Sequence, residues 1–151
     1  MSQDKEREIQ LQFLEEAQEY LDTIESVLLG LAGNQISGQQ MDAVLRAAHS
    51  VKGGAGMMGY GALSQLAHRL EDSFKVLKVQ RHSIAVDGAL ESLLLTGVDR
   101  MSRIPTRIRH GIEVDETSLE TQGHTALEQP LHRLGHPLAH AATRSLLSDN
   151  A

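Results

Sequence analysis

A histidine, a lysine three residues later and a cluster of glycines stand together in residues 47–56, AAHSVKGGAG. A neutral imidazole is a nucleophile toward phosphorus and can hold a phosphoryl group as a labile phosphoramidate. That chemistry needs one ring nitrogen unprotonated and open to solvent. The other nitrogen should donate its proton to an acceptor that fixes tautomer and orientation. A cation nearby should offset the incoming negative charge. Lys52, at i+3 from His49, lies on the same side of a helix and meets that need. Gly53, at i+4, leaves room for phosphate oxygens and for a docking surface. Each glycine in a helix costs about 1 kcal/mol relative to alanine, so bare backbone beside His49 points to something that must come close. Taken singly these residues have ordinary uses. A histidine at a helix border is commonly a surface residue, and Gly-Gly-x-Gly can simply permit close helix packing. The combination and its order carry the reading.

The elements that would position His49 follow from apolar spacing. Residues 6–31 read as a long helix, with Ile9, Phe13, Ala17, Leu21, Ile24, Leu28 and Leu31 every three or four residues. Residues 32–38 have the composition of a stop and a loop. A second helix covers about 40–58, with Met41, Val44, Leu45, Ala48, Val51 and Ala55 as its apolar stripe. His49 falls about 100° from Ala48, at the border of the buried face. Residues 59–61, Gly-Tyr-Gly, predict a tight connection to a third helix over about 62–79, whose core face is Leu63, Leu66, Ala67, Leu70, Phe74 and Leu77. Residues 78–83 read as a loop. A fourth helix over about 84–109 carries Val86, Leu90, Leu93, Leu94, Val98, Met101, Ile104 and Ile108. Pro105 is expected to kink it or to split off its last turns. No segment alternates with period two, so no sheet is expected.

Short connections make sequential helices antiparallel. The expected fold is therefore all-α: an antiparallel up-and-down four-helix bundle over 6–110. Residues 111–151 form a C-terminal extension, either a linker or a fifth helix. In a hairpin turning at 59–61, position 49 lies about eleven residues before the turn and position 71 about eleven after it. His68, Glu71, Asp72 and Lys75 share the polar flank of the third helix. Glu71 is the expected acceptor for the non-reacting nitrogen of His49, with His68 a polar neighbour.

Composition narrows the partners. The chain has 151 residues, enough for one domain with a tail and an independent core. It has no cysteine, which removes disulfides and thiolate metal sites and fits a reducing compartment. Its net charge of −6, from 20 acidic and 14 basic residues, argues against nucleic acid as the main partner. No apolar run approaches the ~20 residues of a membrane span, and residues 1–10 are too polar for a signal peptide. A cytoplasmic protein is expected.

Residues 47–61, AAHSVKGGAGMMGYG, closely resemble the phosphoacceptor helix of histidine phosphotransfer (HPt) domains. They are most similar to the N-terminal HPt domain of chemotaxis-type histidine kinases. Residues 63–77, with the His-x-x-Glu pair His68 and Glu71, resemble that family's next helix. Phe13-Leu14-Glu15-Glu16 resembles its first. The resemblance spans about 8–110. It implies a four- or five-helix bundle in which His49 accepts a phosphoryl group from a histidine kinase catalytic domain. An aspartate on a response regulator receiver then takes it, in two-component signalling. It also implies that Lys52 supports the site, Gly53 clears space, Glu71 orients the ring and His68 belongs to the surrounding network. The chain has no nucleotide-binding motif, so Mg²⁺ and ATP are expected to belong to partner domains and no cofactor to this one. A phosphocarrier, monomeric as an isolated domain, is expected. The parent protein would be a chemotaxis-type hybrid kinase, or the chain a free-standing relay.

Other readings remain open at this stage. The same bundle could serve as a docking or scaffold module without phosphorylation. His132, His136 and His140, spaced i, i+4, i+8, could line a metal site on an unbroken helix, but Pro137 interrupts them and no acidic residue or cysteine completes the set. Within the expected helices His-x-x-Glu occurs only at His68 and Glu71, too few for a di-metal bundle. Arg100, Arg103, Arg107 and Arg109 read as a solvated basic face or a partner for the acidic tail. Met57, Met58 and Tyr60 either cap the core or contribute apolar docking contacts.

Overall fold

A computed structural model describes residues 3–30, 36–80 and 88–111. They form four helices: α1 (Gln3–Leu28), α2 (Gly38–Met58), α3 (Gly61–Gln80) and α4 (Gly88–Arg109). Among the described residues there is no strand. Helix α1 packs on α2 and α4, α2 on α3, and α3 on α4, while neither diagonal pair approaches closely. The result is a closed ring of neighbours. Contacts across it set the directions. Lys78 Nζ donates to Asp42 Oδ1 at 2.9 Å, and His49 meets Glu71, both pairs centred on residue 60. Gln18 meets Thr106, and Glu15 meets Arg109, again with one position falling as the other rises. The bundle is therefore antiparallel, as the loop lengths imply.

The spacing that identified the helices also fills the core. Leu14, Ala17, Leu21, Ile24 and Leu28 of α1 are fully buried, together with Val44, Val51, Leu66, Leu70, Phe74, Leu94 and Met101 from the other three. Each large aliphatic or aromatic side chain buried in this way contributes about 1.5–3 kcal/mol. Only two Phe and two Tyr are available to the whole chain, so branched aliphatics and methionines do most of the filling.

Several boundaries shift for local reasons. Helix α2 starts at Gly38 rather than about 40 because Ser37 caps it: its side chain accepts from the Gln40 N–H, and Gln40 Oε1 accepts from the Ser37 N–H. Helix α1 starts earlier than expected and ends earlier, at Leu28. Ile9, assigned to its core stripe, is 50% exposed. It lies a turn beyond Phe13, where the buried stripe of α1 begins. Leu93 is only partly buried. The expected break at Pro105 does not occur. Helix α4 runs through it as one element, and the proline ring is buried in the same stripe as Met101 and Ile104. The lost N–H removes a single backbone bond near the helix end, and the ring adds apolar surface to the core. Leu31, Val86, the expected first turn of α4 at 84–87 and everything expected of residues 112–151, the three histidines included, lie outside the described residues.

Candidate functional site

Helices α2 and α3 form the hairpin that builds the site. Gly59 ends α2 in the left-handed region at φ 82°, where a side chain would be strained, and the Tyr60 N–H donates to the Ala55 carbonyl at 2.8 Å. The Tyr60 carbonyl then accepts from Ser64 N–H in the first turn of α3. A second tie follows: Ser64 Oγ donates to the Lys52 carbonyl at 2.9 Å. With the turn this tight, α2 and α3 have no freedom to slip, and residue 49 must stand opposite residue 71.

Glu71 is the centre of the site. It is 3% exposed, one of two buried polar residues among those described. His49 Nδ1 lies 2.7 Å from Oε2, Lys52 Nζ donates to Oε1 at 2.9 Å, and Lys75 Nζ lies 3.5 Å from Oε1. Burial by itself pushes the Glu71 carboxyl up. The hydrogen bonds from Lys52 and His49 and the charges of Lys52 and Lys75 outweigh it and hold the carboxyl below its ordinary value. An ionised carboxylate only accepts hydrogen bonds, so the proton in the 2.7 Å contact belongs to Nδ1. In the neutral ring that leaves the lone pair on Nε2. The His49 side chain is 69% exposed while its anchoring nitrogen touches a buried group. A ring fixed at one nitrogen and open at the other has the geometry of a nucleophile waiting for a partner.

The glycines of the motif divide by role. A Cβ at Gly53 would meet nothing within 4 Å, so its bareness serves no packing purpose among the described residues. Gly54 differs: a Cβ there would overlap the Phe13 ring of α1. Phe13 in turn stacks on Tyr60, with centroids 6.2 Å apart. A Cβ at Gly56 would lie 3.4 Å from Ser64 Oγ. One glycine of the three thus exists for helix packing and one leaves a clear surface beside His49. Met57 is 84% exposed, whereas Met58 and Tyr60 pack against the core.

His49, Lys52 and Glu71 come together as the spacing indicates, with Gly53 alongside. His68 does not join them. It is mostly exposed, and its ion-pair partner is Asp72 at 3.9 Å, one turn along its own helix. Lys75 also touches the site, whereas sequence spacing alone puts it only on a polar flank of the third helix. Its i+4 spacing from Glu71 was the signal that could have found it. Among the described residues no group of three or more His, Asp or Glu side chains could hold a metal ion. Arg103 pairs with Asp99 and Arg109 with Glu15, so part of the basic face of α4 is neutralised within the bundle.

Comparison with known proteins shows the family of the bundle. The family model for the Hpt domain matches residues 8–104. The chain is 32% identical over 108 residues to the chemotaxis protein CheA of Salmonella typhimurium, an alignment covering 72% of this chain and 16% of that protein. It is 33% identical over 109 residues to the chemotaxis protein CheA of Rhizobium meliloti, covering 72% and 14%. The chemotaxis protein CheA of Treponema pallidum is 33% identical over 87 residues, covering 58% and 10%. The matched region is a small part of each of these relatives. The chain belongs to the Hpt domain family, the histidine phosphotransfer carriers of two-component signalling.

Proposed function

We propose that His49 carries the phosphoryl group, accepting it on Nε2 from an ATP-using histidine kinase catalytic domain. An aspartate on a response regulator receiver then removes it. Glu71 orients the ring, Lys52 holds Glu71 and remains within reach of the phosphoryl oxygens, and Gly53 leaves the approach open. Residues 6–110 are the carrier unit. Mg²⁺ and ATP enter with the partners, which places the reaction in the cytoplasm. Similarity to several chemotaxis proteins favours a place at the N-terminus of a chemotaxis-type hybrid kinase. The observation that carries this reading is the 2.7 Å contact of an exposed imidazole with a buried carboxylate. A surface histidine with no task has no use for such a costly anchor, since a charge is buried only where it is paired.

In the first experiment, a chemotaxis-type kinase catalytic core with Mg-ATP is offered the protein, and the product is read by intact mass and peptide mapping. One phosphoryl group on His49, labile in acid and stable in base, is expected. His49→Gln should remain unlabelled with unchanged helicity and melting; a labelled His49→Gln protein sinks the assignment. Failure of both this core and a panel of phosphorylated receivers to label the wild type would leave a docking bundle.

A further inference from the structure

The phosphoryl group brings about two negative charges at neutral pH. Two cations, Lys52 and Lys75, are engaged at the Glu71 carboxylate that anchors His49, but not equally. Lys52 makes a short bond of 2.9 Å to Oε1 and is only 28% exposed. Lys75 stands at 3.5 Å from the same oxygen, beyond a good hydrogen bond, and is 63% exposed. The difference matters because a flexible ammonium in a loose, hydrated pair moves at little cost. Lys52 is committed to fixing the carboxylate, whereas Lys75 is not.

The surface beside the ring shows where Lys75 can go. A groove of about 660 Å³ runs between α2 and α3, and its lining includes Arg46, His49, Glu71 and Lys75. Lys52 does not line it, and Lys78, which does, is held by Asp42 at 2.9 Å. Arg46 is exposed and lies at i−3 from His49, on the same side of α2. It forms no ion pair or hydrogen bond with any described residue. The groove therefore brings an unengaged guanidinium and a loosely held ammonium to the imidazole, on the flank away from the hairpin turn. Among the described side chains lining it the only carboxylate is the buried Glu71, already opposed by His49 and Lys52.

We propose that Arg46 and Lys75 form a second cationic cradle for the phosphoryl oxygens on His49, with Lys75 exchanging Glu71 for the phosphoryl group when the histidine is loaded. This rests on His49 being the phosphoacceptor. The exchange leaves Glu71 paired with Lys52 and with the Nδ1 proton, which is then part of a phosphoimidazolium. The loaded and unloaded sites thus differ in which anion Lys75 serves. That gives the groove a charge and shape that report the state of His49 to a partner.

The test uses potassium phosphoramidate as donor, so that no partner protein intervenes. The Nε2 lone pair attacks phosphorus, the Nε2–P bond forms as the donor's P–N bond breaks, and the departing nitrogen leaves with its protons as ammonia. The ³¹P resonance of the product is then followed against pH. A cation held at the oxygens favours the more charged form, so the phosphoryl group of the wild type should ionise at lower pH than that of Lys75→Gln or Arg46→Gln. The shift expected for each is about half a unit, with more for the pair together. Lys75→Arg should restore the wild-type value. Arg103→Gln, which lies on α4 away from the groove and loses its Asp99 pair, should leave it unchanged. If His49 is labelled and the ionisation of Lys75→Gln and Arg46→Gln coincides with the wild type, the cradle is overturned and the carrier function stands. If phosphoramidate labels the protein elsewhere and never at His49, both fall.

Discussion

At the scale of single residues, Glu71 is where stability and chemistry meet. Its carboxyl is held below its ordinary value, 4.5, so the folded state favours the ionised form. The sign follows from linkage. A depressed carboxylate contributes stability that is fully present above its unfolded pKa and lost as pH falls through its folded pKa. Thermal unfolding of the wild type and of Glu71→Gln, compared across pH, should therefore show a constant difference above about pH 5.5 that changes in favour of the variant as the solution is acidified below the carboxylate range. A difference independent of pH would mean that the carboxylate is not held in this network. In the same variant, the amide can present a donor to Nδ1 and select the wrong tautomer. Phosphorylation of His49 by a kinase core should slow by about a hundredfold, read as initial rate at fixed donor. Sequence spacing was enough to single out Glu71, because a tight hairpin makes equidistant positions face each other. It could not exclude His68, which has the right polarity and the right helix side but points to Asp72 instead.

At the scale of elements, the glycines of α2 separate two demands that look identical in sequence. Gly54 is dictated by α1, because the Phe13 ring occupies the place of a Cβ. Gly54→Ala should cost about 1–3 kcal/mol in chemical denaturation, and pairing it with Phe13→Leu should cost less than the sum of the single changes. Additive effects would mean that the ring and residue 54 do not compete for space. Gly53 meets nothing within 4 Å and lies inside a helix. Gly53→Ala should raise stability by about 1 kcal/mol, the ordinary helix gain, while slowing transfer to a partner that must approach the ring. A variant that is more stable and equally fast would remove Gly53 from the approach surface. Helix α4 offers the opposite lesson. Pro105 looks like a break, yet it lies in the buried stripe near the helix end and the element continues. Helix-breaking tendency is a local cost, and packing against the neighbouring helices decides whether it is met.

At the scale of the whole molecule, the core under α2 and α3 is what keeps residues 49 and 71 at hydrogen-bonding distance. Leu70 is completely buried beside Glu71 in sequence and belongs to the same cluster as Val51, Leu66 and Phe74. Leu70→Ala should cost about 2–5 kcal/mol and lower the midpoint of urea unfolding with little change in its slope. A near-neutral change would show that α3 is not anchored there. By itself, the sequence determined the four helices, their antiparallel order, most of the buried stripe and the encounter of His49, Lys52 and Glu71. Helical period and short connections are local rules, and a tight hairpin converts them into one long-range pairing. Only the tertiary structure decided which glycine serves packing, since that depends on Phe13 from another helix. It also decided that His68 stands apart, that Ile9 lies half-exposed beyond the core, and that Lys75 shares the carboxylate with Lys52. Those outcomes turn on the distance and direction of side chains from neighbouring turns and helices, and residue spacing along one helix carries no measure of either.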